Sequence, residues 1–227
     1  MFGEVTSANI VGYNGTTLKA DTYYMVAVQF DAVSGEGTGT AIKDLVTGNI
    51  PYGMIMQILK TDGTYDTYKY LEEAFDEDAD DFVPGWGDVG DNMATRLLPP
   101  GTVFWLKSPS DTVATIAGAV LSDASKEIAV AGGKYSMIGN PYPIAVNPNG
   151  MTWTGLTFKD ELKVLNTDGT YNTYKYLEEA FDEKTDDFIT GWGDVGDNYI
   201  TTGIIPVGQG AWIKPASDVT ATFASPL

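Results

Sequence analysis

The chain has 227 residues, with 13 Lys and Arg against 31 Asp and Glu and neither His nor Cys, so its net charge is −18. Without His and Cys, the sequence excludes imidazole and thiolate catalysis, disulfides and iron–sulfur ligation. The negative charge excludes nucleic acid and anionic membranes as favoured partners. No run reaches the roughly 18 apolar residues of a membrane helix, so we expect no membrane insertion.

At the N-terminus, the sequence lacks the basic and apolar regions of a signal peptide. An exported protein whose signal peptide has been removed begins in this way, and a cytoplasmic protein can begin in the same way. Our expectation is an extracellular or cell-surface location with the signal peptide removed. The apolar segment 8–13 is predicted to form a strand that can pair with the exposed sheet edge of a neighbouring molecule.

Further along, short runs of β-branched, aromatic and aliphatic residues are bounded by Gly, Pro, Asn and Asp, a pattern typical of strands. Asp62-Gly63 lies between two such runs and predicts a hairpin with a type I′ turn, and Asp168-Gly169 predicts a second one. The hairpin arms are predicted at residues 55–60 with 65–71, and at 161–166 with 171–177. The other predicted strands cover residues 24–30, 103–107, 113–120, 210–214 and 219–223.

Helix is predicted only at residues 71–75 and at their copy, 177–181, where one turn is compatible with the sequence. The acidic, Gly-rich stretches 76–92 and 182–198 follow the predicted hairpins. We interpret both stretches as long loops, which in a compact domain are usually functional or disordered.

An internal repeat decides the organisation of the chain. Residues 61–92 and 167–198 are identical at 27 of 32 positions, and the similarity falls to 9 of 24 over residues 93–116. We predict two β repeats, at 1–121 and 122–227. The predicted fold is all-β, with two tandem copies of a small antiparallel unit, sandwich or barrel-like, related by a pseudo-two-fold axis and carrying long acidic loops.

The acidic loops contain a candidate metal site. Carboxylate and amide oxygens separated by glycines are the ligands that Ca²⁺ prefers. The same residues also form metal-free turns, in which Asp and Asn accept backbone hydrogen bonds, and this remains the alternative. The candidate ligands are Asp88, Asp91 and Asn92 in the first copy and Asp194, Asp197 and Asn198 in the second. No cofactor other than calcium is a candidate.

Aromatic residues of the repeat form a candidate glycan-binding surface. Exposed Tyr and Trp rings stack on sugars, whereas in a small β-protein the same rings often pack across strands or cover the core. Both interpretations remain open. The candidate residues are Tyr68, Tyr70 and Trp86 in the first copy and Tyr174, Tyr176 and Trp192 in the second.

Adjacent carboxylates at Glu72-Glu73 and Glu178-Glu179 are the nearest approach to a glycosidase pair. Neighbouring residues on a strand point to opposite faces, which is a poor arrangement for an acid and a base. We therefore expect no enzymatic activity.

Two blocks of the second copy carry a family resemblance. These are GNPYP at residues 139–143 and PVGQGAW at 206–212, together with SANIVGY at 7–13 near the N-terminus. The sequence resembles a β-rich repeat module of exported bacterial surface proteins with GNPYP and PGQGFW-type blocks, and its start is similar to verrucomicrobial secreted repeat proteins. The resemblance implies a surface or extracellular location and carries no catalytic residues.

These observations together favour a non-catalytic structural or assembly protein of a surface layer, matrix, adhesion system or filament. Its expected partners are further copies of itself or other surface proteins. The alternative is a glycan-binding module that uses the Tyr and Trp rings, with calcium as an auxiliary ion.

Overall fold

The computed structural model describes residues 10–32, 38–196 and 198–227, and strands dominate this part of the chain. The first repeat contains β1 (Val11–Leu18), β2 (Tyr23–Ala27), β3 (Thr40–Ala41), α1 (Ile42–Leu45), β4 (Ile55–Leu59), β5 (Tyr65–Asp76), β6 (Asp81–Gly87), β7 (Leu97–Leu98), β8 (Val103–Lys107) and β9 (Thr112–Ala119). The second contains β10 (Ser125–Val130), β11 (Ser136–Gly139), a 3₁₀ helix (Pro148–Gly150), β12 (Thr152–Thr154), β13 (Glu161–Leu165), β14 (Tyr171–Asp182), β15 (Asp187–Asp194), β16 (Gly210–Lys214) and β17 (Val219–Ala224).

Each repeat is built on a five-stranded antiparallel sheet. The strand order is β2-β8-β4-β5-β6 in the first repeat and β11-β16-β13-β14-β15 in the second, which is the same topology. A smaller sheet supplies the second layer, β1-β9 in the first repeat and β10-β17-β12 in the second. None of the sheets in the described residues closes on itself. The all-β prediction is confirmed, and the layers have the sandwich form.

Each pair of layers encloses its own hydrophobic core. Strand β4 alternates, so that Met56 and Ile58 are buried while the residues between them are only partly buried. Met56 packs in one cluster with Leu18 of β1 and Ile116 of β9, and Leu162 of β13 occupies the equivalent place in the second cluster. The first cluster ends at Val120 and the second begins at Leu121.

The two repeats contact each other through equivalent residues, as expected for a pseudo-two-fold axis. Trp105 of β8 and Trp212 of β16 have ring centroids 6.3 Å apart. Val103 lies against Gly210, where a β-carbon on the glycine would be 2.4 Å from Val103 Cγ1. Ala27 lies against Gly139 in the same way, with 2.6 Å between the two β-carbons if Gly139 had one. Backbone also crosses the axis, since the amide of Ala27 donates to the Gly208 carbonyl at 2.9 Å.

Both predicted hairpins are present, but their turns differ from the predicted type. The amide of Lys60 donates to the carbonyl of Thr64 at 2.8 Å, and Gly63 alone in the turn has a positive φ, of 85°. Asp62 keeps a negative φ and accepts hydrogen bonds from the Thr64 amide and hydroxyl. The prediction of a type I′ turn is therefore wrong, because the loop has one extra residue and needs only one left-handed position.

The prediction of long acidic loops at 76–92 and 182–198 is also wrong. Strand β5 continues to Asp76 and β6 starts at Asp81, so most of the first stretch is a second hairpin. A cross-strand contact between Phe75 and Phe82, with centroids 5.3 Å apart, stabilises this hairpin. The acidic residues are concentrated at its turn, where Asp80 has a φ of 52°.

The predicted helical turn at 71–75 is part of β5. The pairing with β6 shifts between Leu71 and Ala74, which is a β-bulge that leaves Glu72 and Glu73 exposed. Ala74 returns to the core side and is fully buried. The bulge explains why the sequence shows no simple two-residue alternation here.

Of the N-terminal strand predicted at 8–13, residues 11–13 belong to β1. Residues 8 and 9 lie outside the described residues, and β1 pairs with β9 of the same chain along all of its eight residues. One edge of this strand is therefore already occupied within the molecule. No helix in the described ranges is long and apolar enough to cross a membrane.

Candidate functional site

In the first copy, the predicted metal ligands form a tight turn. Asp88 Oδ1 accepts hydrogen bonds from the amides of Gly90 at 2.8 Å and Asn92 at 3.1 Å. Asp91 has a φ of 58°, and its carbonyl accepts the Phe75 amide at 2.8 Å, which ties the turn to β5. The turn-forming alternative therefore accounts for Asp88 and Asp91 without an ion.

In the second copy, Asp197 lies outside the described residues, so its place among the predicted ligands is not described. Asp194 ends β15 and is half-buried, and Asn198 has a φ of 61°. Across residues 10–32, 38–196 and 198–227, no three or more His, Cys, Asp or Glu side chains are grouped so that they could hold a metal ion.

The predicted Tyr and Trp platform is largely inside the cores, which corrects the glycan-site prediction at these positions. Trp86 and Trp192 are both 0% exposed, and Tyr174 is 4% exposed. Tyr70 packs edge-to-face on Trp86 and Tyr176 on Trp192, with centroids 5.7 and 5.6 Å apart. The rings fill the space between the layers, and a buried indole offers no face to a sugar.

Tyr68, the remaining candidate, is half-buried and packs against the first core. It faces the same side of β5 as Tyr70, as the two-residue period requires. Of the six predicted aromatic residues, none therefore stands fully exposed on the surface.

A different aromatic set is exposed, and sequence reasoning missed it. Tyr23, Trp105, Trp212 and Tyr135 form a continuous row across the pseudo-two-fold axis, with successive centroids 6.3, 6.3 and 6.1 Å apart. We call these four residues the aromatic row. Tyr23 is 42% and Tyr135 40% exposed, and the two indoles are half-buried.

One pair of equivalent lysines lies beside the two end rings of the row. Lys107 Nζ lies 5.6 Å from the Tyr23 centroid and Lys214 Nζ lies 5.2 Å from the Tyr135 centroid. Both are cation–π distances. The sequence did contain a signal, because Trp105-Leu106-Lys107 aligns with Trp212-Ile213-Lys214 in the repeat.

One end of the aromatic row carries a hydrogen-bonded ionic group. Lys163 Nζ donates to Tyr135 Oη at 2.9 Å and lies 2.9 Å from Glu161 Oε1, and Tyr135 donates to Glu161. The hydrogen bonds with Tyr135 and Glu161 raise the pKa of Lys163 to about 12. Although burial opposes it, the hydrogen bonds that Glu161 accepts from Tyr135 and Lys163 hold the pKa of Glu161 below its usual range.

The β5–β6 and β14–β15 hairpins present a second exposed surface, once in each repeat. Phe82 is 59% and Phe188 63% exposed, and each follows an acidic turn. We call residues 76–81 the first acidic tip and residues 182–187 the second acidic tip. Both tips are held by the same local chemistry, since Asp76 accepts the amide of Asp78 and Asp182 that of Lys184.

The carboxylate pairs considered for catalysis lie on the β-bulges rather than in a cleft. Glu72 and Glu73 are exposed, and so are Glu178 and Glu179. None of them lines any of the five main surface clefts formed by the described residues.

The blocks that carry the family resemblance have structural positions. Tyr142, in the GNPYP block, is fully buried. Its hydroxyl donates to the Asp123 carbonyl at 2.9 Å, and its backbone carbonyl accepts a hydrogen bond from the Gln29 side-chain amide at 3.0 Å. Gly208, in the PVGQGAW block, has a φ of 73°, which favours glycine, and it lies against the side chain of Asn14 in the first repeat. Both blocks therefore form the junction between the repeats.

No protein-family model, no curated protein and no solved structure matches this chain.

Proposed function

We propose that the protein is a non-catalytic assembly subunit of an extracellular or cell-surface structure, such as a surface layer, matrix, adhesion system or filament. It attaches to identical or related neighbours through the two exposed hairpins. The observation that carries this proposal is the identity of the two hairpins at exposed positions.

Of the 20 exposed positions within residues 61–92, 17 hold the same residue in the second copy. Exposed side chains usually change the free energy of unfolding by less than about 0.5 kcal/mol, so folding alone does not require this identity. The contact residues between the repeats have diverged instead, as at Val103 and Gly210. A shared partner that binds both hairpins explains why their surfaces match.

The exposed Phe residues give the hairpins an apolar contact within an acidic surface. Phe82 and Phe188 are exposed and lie beside the carboxylates of the β5–β6 and β14–β15 hairpins. Interfaces commonly place aromatic anchors at their centre and charges at their rim. Two such surfaces on one chain make the subunit bivalent, which is what growth into a chain or a layer requires.

Sedimentation velocity and negative-stain microscopy of the full chain test this proposal. The wild-type chain should form oligomers, filaments or sheets as its concentration rises, and Phe82→Ser with Phe188→Ser should reduce this association. Val113→Ser is the matched control, because Val113 is 52% exposed but lies on β9. A chain that stays monomeric at high concentration contradicts the proposal.

Glycan binding is the second candidate, and the aromatic row now carries it in place of the buried rings. Partly exposed Tyr and Trp rings flanked by Lys107 and Lys214 offer apolar contact and hydrogen-bond donors to a saccharide. Trp105→Ala and Tyr135→Ala should each weaken binding to a glycan array if this function operates. Unchanged or absent binding would remove the candidate.

A further inference from the structure

A cleft of about 530 Å³ lies between the repeats, on one side of the pseudo-two-fold axis. The β4–β5 turn of the first repeat and residues 99–103 form one wall, and residues 126–131 and 134–137 of the second repeat form the other. Lys60, Arg96, Lys126 and Lys134 line it, and Glu127 is the sole acidic lining residue. We call this the basic cleft.

The positive charge of this cleft is only partly neutralised. Asp66 pairs with Arg96 at 2.6 Å and with Lys60 at 3.7 Å, and Asp62 lies 3.9 Å from Lys60. Four cations therefore face three carboxylates, Glu127 included, which makes this region +1 while the remaining residues sum to −19. Lys126 has no carboxylate within ion-pair distance in the described residues.

The symmetry-related cleft on the other side of the axis lacks this charge. It has a volume of about 250 Å³ and no charged lining residue. In the repeat alignment, Asn166 and Thr22 of this cleft replace Lys60 and Lys134. The fold forms the second cleft without cations, so the cations of the basic cleft are not a requirement of the inter-repeat packing.

We propose that the basic cleft binds the first acidic tip of a second copy of this chain. This inference rests on the proposed assembly function and names the surface that receives the hairpin. The first acidic tip contains five carboxylates in six residues, and Glu77, Asp78, Asp80 and Asp81 are exposed. The second acidic tip has Lys184 in place of Asp78, which makes it the weaker ligand for a cationic cleft.

The apolar parts of the two surfaces match as well as their charges. Ile128 and Met137 contribute apolar lining to the basic cleft, and Pro99 lies at its wall. The first acidic tip is followed directly by Phe82, which is 59% exposed. Carboxylates at the cationic rim and a phenyl ring toward the apolar lining give the arrangement of a stable protein interface.

A tip that binds a cleft elsewhere on an identical molecule makes a heterologous contact. Such contacts repeat from one subunit to the next, and they produce a ring or an open filament. Each subunit then uses its tip on one neighbour and its cleft on another.

The experiment compares two charge-reversed full-length variants by sedimentation velocity. Lys126→Glu with Lys134→Glu alters the cleft, and Glu77→Lys with Asp78→Lys alters the tip. Lysine at position 78 reproduces the residue of the second repeat, Lys184, but it also removes the ion pair of Asp78 with Lys43 at 3.3 Å. The melting temperature of the tip variant is therefore compared with that of the wild-type chain to show that it is folded. Each variant alone should self-associate at least about tenfold more weakly than the wild-type chain.

A mixture of the cleft variant and the tip variant tests the proposed contact more specifically than either variant alone. The cleft variant keeps an intact tip and the tip variant keeps an intact cleft, so the mixture should form a complex that neither variant forms alone. Lys19→Glu with Lys159→Glu is the control, because both lysines are exposed, both lie outside the hairpins and the basic cleft, and the change in net charge equals that of the cleft variant. This control should associate like the wild-type chain.

The outcomes separate this inference from the proposed function. If the wild-type chain assembles and the cleft variant assembles equally well, the cleft assignment is overturned and the assembly function stands. If the wild-type chain is monomeric, both are overturned. A monomeric chain that binds a sulfated polysaccharide through Lys126 and Lys134 would likewise overturn the second copy as the occupant.

Discussion

The contact between Val103 and Gly210 offers a quantitative test of the pseudo-two-fold interface. A β-carbon at position 210 would lie 2.4 and 2.8 Å from the two methyl carbons of Val103. Gly210→Ala should therefore lower the free energy of unfolding by about 1–3 kcal/mol, the usual cost of overpacking. Met25 Cγ, at 3.2 Å, belongs to a flexible side chain that can give way.

Val103→Ala removes both of those methyl groups. At about 0.8 kcal/mol for each buried group, the loss of stability is about 1.6 kcal/mol, and a persistent cavity adds to it. In the double variant, the new methyl at position 210 enters the space that the valine methyls leave. The double variant should therefore be no less stable than Val103→Ala alone, which corresponds to a coupling free energy of about 1–3 kcal/mol.

Urea unfolding of the wild-type chain, both single variants and the double variant measures this coupling, with tryptophan fluorescence as the probe. Gly150→Ala is the matched control, because its β-carbon would have no neighbour within 4 Å. Additive effects of the two substitutions would show that positions 103 and 210 are not in contact and would refute the reasoning.

Three further predictions concern single positions. Gly208→Ala should destabilise the chain by about 1–3 kcal/mol, because Gly208 has a φ of 73°, a backbone conformation that alanine rarely adopts. A midpoint in urea equal to that of Gly150→Ala would contradict this. The pKa of Glu161 is lowered in the folded state, so its contribution to stability is present above its ordinary pKa and is lost as the pH falls through the folded value. The wild-type chain should accordingly lose more stability between about pH 5 and pH 3 than Glu161→Gln does, and parallel pH profiles would be the contrary result. Asp88 Oδ1 already accepts two backbone amide hydrogen bonds. We therefore expect millimolar calcium and a chelator to leave the melting temperature of the chain unchanged. A rise in melting temperature with calcium would show ion binding.

The sequence predicts the strands best where local chemistry and periodicity agree. Asp62-Gly63 lies between two alternating runs, and the hairpin forms there as expected. The prediction fails between residues 71 and 81, because the bulge at Glu72 and Glu73 interrupts the alternation of β5. Beyond the bulge the residues are mostly acidic, so the sequence does not show the alternation of a strand there. The strand continues nevertheless, and Phe75 of β5 contacts Phe82 of β6.

The exposed surfaces were harder to predict than the strands. Trp86 occurs in a conspicuous acidic repeat, yet the topology places its indole between two layers. The aromatic row needs Trp105 and Trp212 to meet, and they are separated by more than a hundred residues and belong to different repeats. No local pattern encodes such a contact, because it depends on how two complete sandwiches pack together.

The size difference at the junction also determines which repeats are able to pair. The first repeat contributes the larger residues, Ala27 and Val103, and the second contributes glycine at both equivalent positions, Gly139 and Gly210. Two first repeats packed through this surface would bring the side chains of Ala27 and Val103 against their own copies, which would clash. Two second repeats would place glycine against glycine and leave a cavity. Only a first repeat packed on a second repeat fills the space without a clash. The junction therefore favours pairing between the two different repeats over pairing between two copies of the same repeat. The two halves of the chain therefore pack together as the unlike subunits of a heterodimer do, although one polypeptide contains both.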